Sequence, residues 1–298
     1  MEILTTMIIG LLAGLHTSTW GMYKDSPHEG FTWPKYFRST IVGLIFGPVV
    51  YWIFQQTHHP LDIWTEASGF SARDMLLLWG SVYAAERGTV EIWKTFLRTE
   101  DQSKYFIPMQ LHVLGKVVES KRDRLIAAFF YVGGIVAVGY GLVKFYGAWD
   151  AGTLAWSPWL ILLPLSVGGW ISAFGGAWKD APLEGFETFK FFRSPSVAYF
   201  FALTAAVLSS NFIAITCCSL GFTVACIETY KTFFFPSRPR GKFQGKPIDY
   251  PEMMNFRKGF VYLYVGIWIC VLVTAFFAYS GMPYEDALVN GDAFSFLK

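Results

Sequence analysis

WGMYKDSPHEGFTWPKYFRST, from Trp20 to Thr40, returns as GGAWKDAPLEGFETFKFFRSP from Gly175 to Pro195, with 11 of 21 positions identical at a constant offset of 155. Unrelated segments would share about one such position, so the pair marks a duplicated unit. The shared residues include Lys24/Lys179, Asp25/Asp180, Pro27/Pro182, Glu29/Glu184, Gly30/Gly185, Phe31/Phe186, Lys35/Lys190 and Arg38/Arg193. A second match joins the run from Glu91 through Lys94 to Phe96 with the run from Glu228 through Lys231 to Phe233, at an offset of 137. The difference of 18 is assigned to the segment holding His58 to Ser68, because insertions settle in loops.

Outside these runs the chain is apolar. Of its 298 residues, 53% are hydrophobic and 15% charged, too greasy a balance for an ordinary soluble domain. A bilayer crossing takes about 17 to 25 apolar residues. Segments of that kind fall near 3–22, 39–56, 70–93, 124–147, 156–177, 195–211, 212–230 and 258–280. The expected fold is an all-α integral membrane protein with eight transmembrane helices, four in each repeat. The repeats are placed at residues 1–150 and 151–298, within one compact membrane domain. An even number of spans per repeat gives both the same orientation, about an axis along the membrane normal. The start lacks a Lys/Arg-rich leader, so the first span is read as retained.

Sidedness follows from the basic residues, which stay on the cytoplasmic side. Twenty of the 24 lysines and arginines fall in segments after spans 1, 3, 5 and 7. The opposite loops hold little base, with His58, His59, Asp62 and Glu66 in one and Asp150 in another. Both termini are therefore expected outside the cytoplasm. The net charge of +2 conceals a strongly polarised molecule.

Ionisable residues at span ends are the candidate chemistry, because they are costly in lipid and seek a partner or water. The candidate ligand-binding residues are Lys24, Asp25, Glu29, Arg38, Glu91 and Lys94, with Lys179, Asp180, Glu184, Arg193, Glu228 and Lys231 in the second copy. Arg87, Glu91, Lys94 and Arg98 have the spacing of one helix face, which also fits a plain intrahelical ion pair. Cations beside carboxylates suit a phosphate-bearing ligand, and the carboxylates make Mg²⁺ a candidate cofactor. Ser26-Pro27-His28-Glu29 has a competing reading as a helix-start capping box, although Ala181 lacks the hydroxyl in the second copy. Phe31, Phe37, Phe186, Phe189 and Phe192, alternating with basic residues, fit short helices at the headgroup level. Gly10, Gly14, Gly133, Gly134 and Gly169, with the pairs Thr17/Ser172 and Gly21/Gly176, suggest close helix contact.

Several chemistries lack a signature. The five histidines are scattered and no zinc spacing occurs. The basic stretch from Arg238 through Arg240 and Lys242 to Lys246 lacks the Walker A spacing. Cys217, Cys218, Cys226 and Cys270 sit inside apolar spans and read as small hydrophobes. No catalytic residue is assigned and nucleic-acid binding has no support. The expected partners are the bilayer and an anionic lipid or phosphate-bearing ligand. The expected function is a carrier or lipid-handling transporter with a cytoplasm-facing anion site. A Mg²⁺-dependent membrane transferase acting on a phospholipid or polyprenyl phosphate, and a structural subunit of a membrane complex, are the alternatives.

Overall fold

The computed structural model describes residues 1–57, 59–65, 69–151, 158–234 and 241–280. His58, Glu66, Arg238 and Arg240 lie outside the described residues. The described residues are all-α apart from two short hairpins, β1 (Trp64–Thr65) with β2 (Gly69–Phe70) and β3 (His112–Val113) with β4 (Lys116–Val117), both antiparallel. The helices are α1 (Glu2–Glu29), α2 (Trp33–Gln55), α3 (Ala72–Ile92), α4 (Lys121–Asp150), α5 (Pro158–Leu165), α6 (Val167–Glu184), α7 (Thr188–Leu208), α8 (Phe212–Thr229), α9 (Met253–Phe256) and α10 (Gly259–Ser280). Six helical segments are long and apolar enough to cross a membrane: Glu2–Glu29, Trp33–Gln55, Lys121–Trp149, Thr188–Leu208, Phe212–Phe234 and Met253–Ser280.

The two other expected spans differ for identifiable reasons. α3 carries Arg73, Asp74, Glu86, Arg87 and Glu91 within its 21 residues. The segment expected at 156–177 is divided between α5 and α6, where Pro164 lacks an N–H and Ser166 Oγ donates to the Leu163 carbonyl at 2.8 Å.

Glycine sets the closest helix contacts. A Cβ on Gly10 would stand 2.1 Å from the Gly43 carbonyl oxygen, and one on Gly14 would stand 2.4 Å from that of Ser39. α1 and α2 therefore approach at backbone distance, and Ser18 and Thr40 hydroxyls bond across them at 2.9 Å. Gly169 likewise meets the Ser194 carbonyl of α7. Gly221 of α8 meets Gly80 of α3, a contact the sequence pattern did not reveal. Gly21, Gly133, Gly134 and Gly176 have nothing within 4 Å of a Cβ, so the expected packing role fails at these four positions. Gly133 and Gly134 belong to α4, whose apolar window is uncovered by the rest of the protein.

α3 runs through the middle, packed on α1, α2, α8 and α10. Beside it His16 is completely buried, with Nδ1 3.2 Å from the Tyr83 hydroxyl and the rings of Trp79, Tyr264 and Trp268 around it.

Candidate functional site

The Lys-Asp-x-Pro-x-Glu runs form helix ends. α1 continues through Pro27 to Glu29, and α6 through Pro182 to Glu184. Gly30 and Gly185 then take positive φ, 71° and 84°, and each donates its N–H to the carbonyl four residues back at 2.9 Å. The capping-box reading of Ser26 to Glu29 is therefore overturned: these residues close one helix and do not open the next. Ser26 is buried and its Oγ has no hydrogen-bond partner among the described residues. Phe37 lies in α2 and Phe189 and Phe192 lie in α7, long helices rather than separate short ones, while Phe31 and Phe186 stand in the connections just before them.

Each helix end folds back on its own lysine. Lys35 pairs with Glu29, and Lys190 pairs with Glu184 at 2.6 Å and Asp180 at 3.0 Å. The first copy is further covered by the segments after α3 and α8. Lys242 reaches Asp25 at 2.7 Å and Glu29 at 3.7 Å, and the Tyr105 hydroxyl donates to Glu29 at 2.6 Å. Burial raises the Tyr105 phenol above its ordinary range, so it stays protonated for that role. Burial also holds the Lys242 ammonium below the usual lysine range, against the pull of Asp25. Backbone bonds tie the cover down, from Phe106 N–H to the Lys242 carbonyl at 2.7 Å and from Tyr250 N–H to the Pro27 carbonyl at 3.0 Å.

The glutamates in the last turns of α3 and α8 join this layer. Glu228 holds Lys231 at 3.1 Å and Lys24 at 3.7 Å, linking the end of α8 to the end of α1. Glu91 pairs with Arg87 and with Lys94 at 3.2 Å, and Lys179 of α6 lies within its electrostatic reach. Lys179 Nζ also stands 3.5 Å from Met109 Sδ. Arg38 lies over the Trp93 ring, 5.0 Å from its centre. Arg98 leaves the expected helix face: the helix widens into a π-turn at Trp93–Leu97, Arg98 becomes extended, and it pairs with Glu100 at 2.7 Å.

Arg193 and Lys231 meet at a cavity of about 130 Å³ between α6 and α7 that Ser172, Ala177, Asp180 and Lys190 also line. Arg193 Nε has no hydrogen-bond partner among the described residues. Exposed Phe186 and Phe189 lie on the same helix junction.

The four candidate metal carboxylates all have cationic partners. Asp25 and Glu29 converge on Lys242, and Asp180 and Glu184 on Lys190, so an ammonium already holds each pair. Among the described residues no three His, Cys, Asp or Glu side chains gather as a metal-binding group.

Three residues of this layer, Lys242, Tyr105 and Glu86, escaped the sequence reading. Lys242 sits in a stretch that reads as an ordinary basic loop. Glu86, adjacent to Arg87 inside a span, is completely buried with both carboxyl oxygens unpartnered among the described residues. Its place within an apolar segment was the available signal.

Helix length and composition define the class: a multi-helix membrane protein with a charged layer built from helix ends. Beyond that class, no protein-family model matches the chain, and neither does any curated protein or solved structure.

Proposed function

We propose that the protein is a multi-pass membrane carrier or lipid-handling transporter for an anionic, phosphate-bearing amphiphile. Its two four-helix repeats, 1–150 and 151–298, share one orientation, and α3 and the α5–α6 pair complete eight crossings. Both termini lie outside the cytoplasm and the charged layer faces it. The observation that carries this reading is the meeting of Arg193 and Lys231 at a cavity beside exposed aromatic rings. Cations there attract an anionic headgroup, while Phe186 and Phe189 offer apolar contact to its tail. The assembly of Lys24, Glu228 and Lys231 across two helices adds support, since it couples the copies.

The test is exchange of a fluorescent phosphatidate between leaflets of vesicles holding the purified protein. Wild type is expected to accelerate exchange at least tenfold over empty vesicles. The folded Arg193→Gln/Lys231→Gln variant, which removes the cations at the cavity, is expected to lose most of that gain. Equal rates for phosphatidate and a zwitterionic lipid, or an unaffected variant, would contradict the reading.

A further inference from the structure

The two copies differ where they should match. On the offset of 155, Thr17, Arg38 and Ser39 correspond to Ser172, Arg193 and Ser194, and on the offset of 137 Lys94 corresponds to Lys231. In the first copy a carboxylate stands among these residues: Glu86 faces Thr17 and Ser39 and lies within electrostatic reach of Arg38 and Lys94. In the second copy Ser172, Ser194, Arg193 and Lys231 all line the cavity. The position matching Glu86 is Thr223, which bonds its own helix at Ser219 and supplies no charge.

The helix facing the cavity explains the space. Ser18, Met22 and Ser26 are buried on one face of α1, four residues apart. Their counterparts are Ala173, Ala177 and Ala181, and all three line the cavity. Shorter side chains on α6, together with the missing glutamate, leave about 130 Å³. That approaches the ~150 Å³ of an engineered cavity that admits benzene. It suits one oxyanion group.

We infer that the α6–α7 cavity is a binding seat for a single oxyanion group, carboxylate or phosphate, and that Glu86 is the built-in occupant of the corresponding place in the first copy. Arg193 and Lys231 lie within electrostatic reach of each other, so an anion between them relieves a like-charge contact. Ser172 and Ser194 line the same cavity. Asp180 and Glu187 also line the cavity; Lys190 holds the Asp180 carboxylate at 3.0 Å, and Glu228 holds Lys231 at 3.1 Å, so Arg193 is the cation left to face the anion. The first copy tolerates the counterpart of Asp180, since Asp25 lies within reach of Arg38 there. The seat rests on the proposed function only for what becomes of the ligand; binding stands on its own.

The test is thermal stabilisation of the purified full chain in a neutral maltoside detergent, titrated with dodecyl phosphate, laurate, dodecanol or inorganic phosphate. A saturable rise in Tm with dodecyl phosphate or laurate, absent with dodecanol, is expected. A rise with inorganic phosphate at similar concentration identifies a free anion as the ligand; a rise confined to the alkyl forms identifies a headgroup. Arg193→Gln is expected to weaken the response at least tenfold. Ala177→Met, which installs the residue found in α1, is expected to abolish it while the protein remains folded and as stable as wild type. If Ala177→Met is itself unstable, Ala173→Ser/Ala181→Ser narrows the cavity with smaller groups and is expected to weaken binding. No saturable response in wild type, or an undiminished one in folded Ala177→Met and Arg193→Gln, overturns the seat. Binding without lipid exchange leaves the seat intact and removes the carrier; exchange without binding does the reverse.

Discussion

Glu228 is the residue whose loss should be felt most, because it satisfies Lys231 at 3.1 Å and Lys24 at 3.7 Å from two different helices. Glu228→Gln leaves both ammonium groups short of a counter-charge, a loss of about 1.5–3 kcal/mol for charge-assisted hydrogen bonds. Denaturation in detergent should show a stability deficit of that order. Lys104→Met removes a pair with Glu100 in which the side chains are 37% and 30% exposed, so its effect should stay within about 1 kcal/mol. Equal losses for the two variants would sink this ranking. His112 supplies a pH prediction. Its ring is buried, neither nitrogen has a partner among the described residues, and burial, followed by Lys179, lowers its pKa from the usual 6.5. The unfolded chain then binds more protons than the folded one between the lowered value and about 6.5, so stability rises with pH through that window. The contribution is complete above about 6.5 and fades on acidification. In Tm scans from pH 4.5 to 7.5, the Tm of wild type minus that of His112→Leu should fall as pH falls; a constant difference would contradict a neutral His112.

Helix contacts extend the same reasoning to elements. A Cβ on Gly221 would stand 1.8 Å from the Gly80 carbonyl oxygen, so Gly221→Ala must push α8 from α3. Overpacking of this kind costs about 1–3 kcal/mol. Gly139→Ala on α4 meets nothing within 4 Å and should be neutral or gain up to about 1 kcal/mol from helix propensity. Thermal unfolding of both variants checks the contrast, and a destabilised Gly139→Ala would show that α4 has a tight neighbour. The sequence made α1–α2 packing legible because Gly10 and Gly14 share one helix face. Gly133 and Gly134 carry the same signal on α4 and meet nothing, since spacing records a bare strip without saying whether a partner covers it. The capping box failed for a related reason. Ser-Pro-x-Glu has the right residues for a helix start, but Gly30 and Gly185 supply the positive φ that ends a helix there, and Pro27 sits inside its last turn.

For the molecule as a whole, hydropathy located the apolar helices well, because apolar length is a property of each segment alone. α3 is charged enough to fall outside that criterion and gains its place from α1, α2, α8 and α10 around it. The charged layer was legible in its repeated members, Lys24, Asp25 and Glu29 with their counterparts. It was illegible in Lys242 and Tyr105, whose partners are brought up only by long-range folding, whereas Glu86 carried a signal in its place within an apolar segment. The proposed sidedness, with the termini outside the cytoplasm, predicts that an alkaline phosphatase fused after residue 298 is active and a green fluorescent protein there dark. The opposite pattern would invert the molecule and turn the cavity to the outside. The deciding measurement is native mass spectrometry of the protein released from mild detergent, comparing wild type with the folded Arg193→Gln/Lys231→Gln variant. A discrete anionic, phosphate-bearing amphiphile held by wild type and missing from the variant is the expected result. Identical spectra, with no selectively retained anion, would contradict an anion-handling membrane protein.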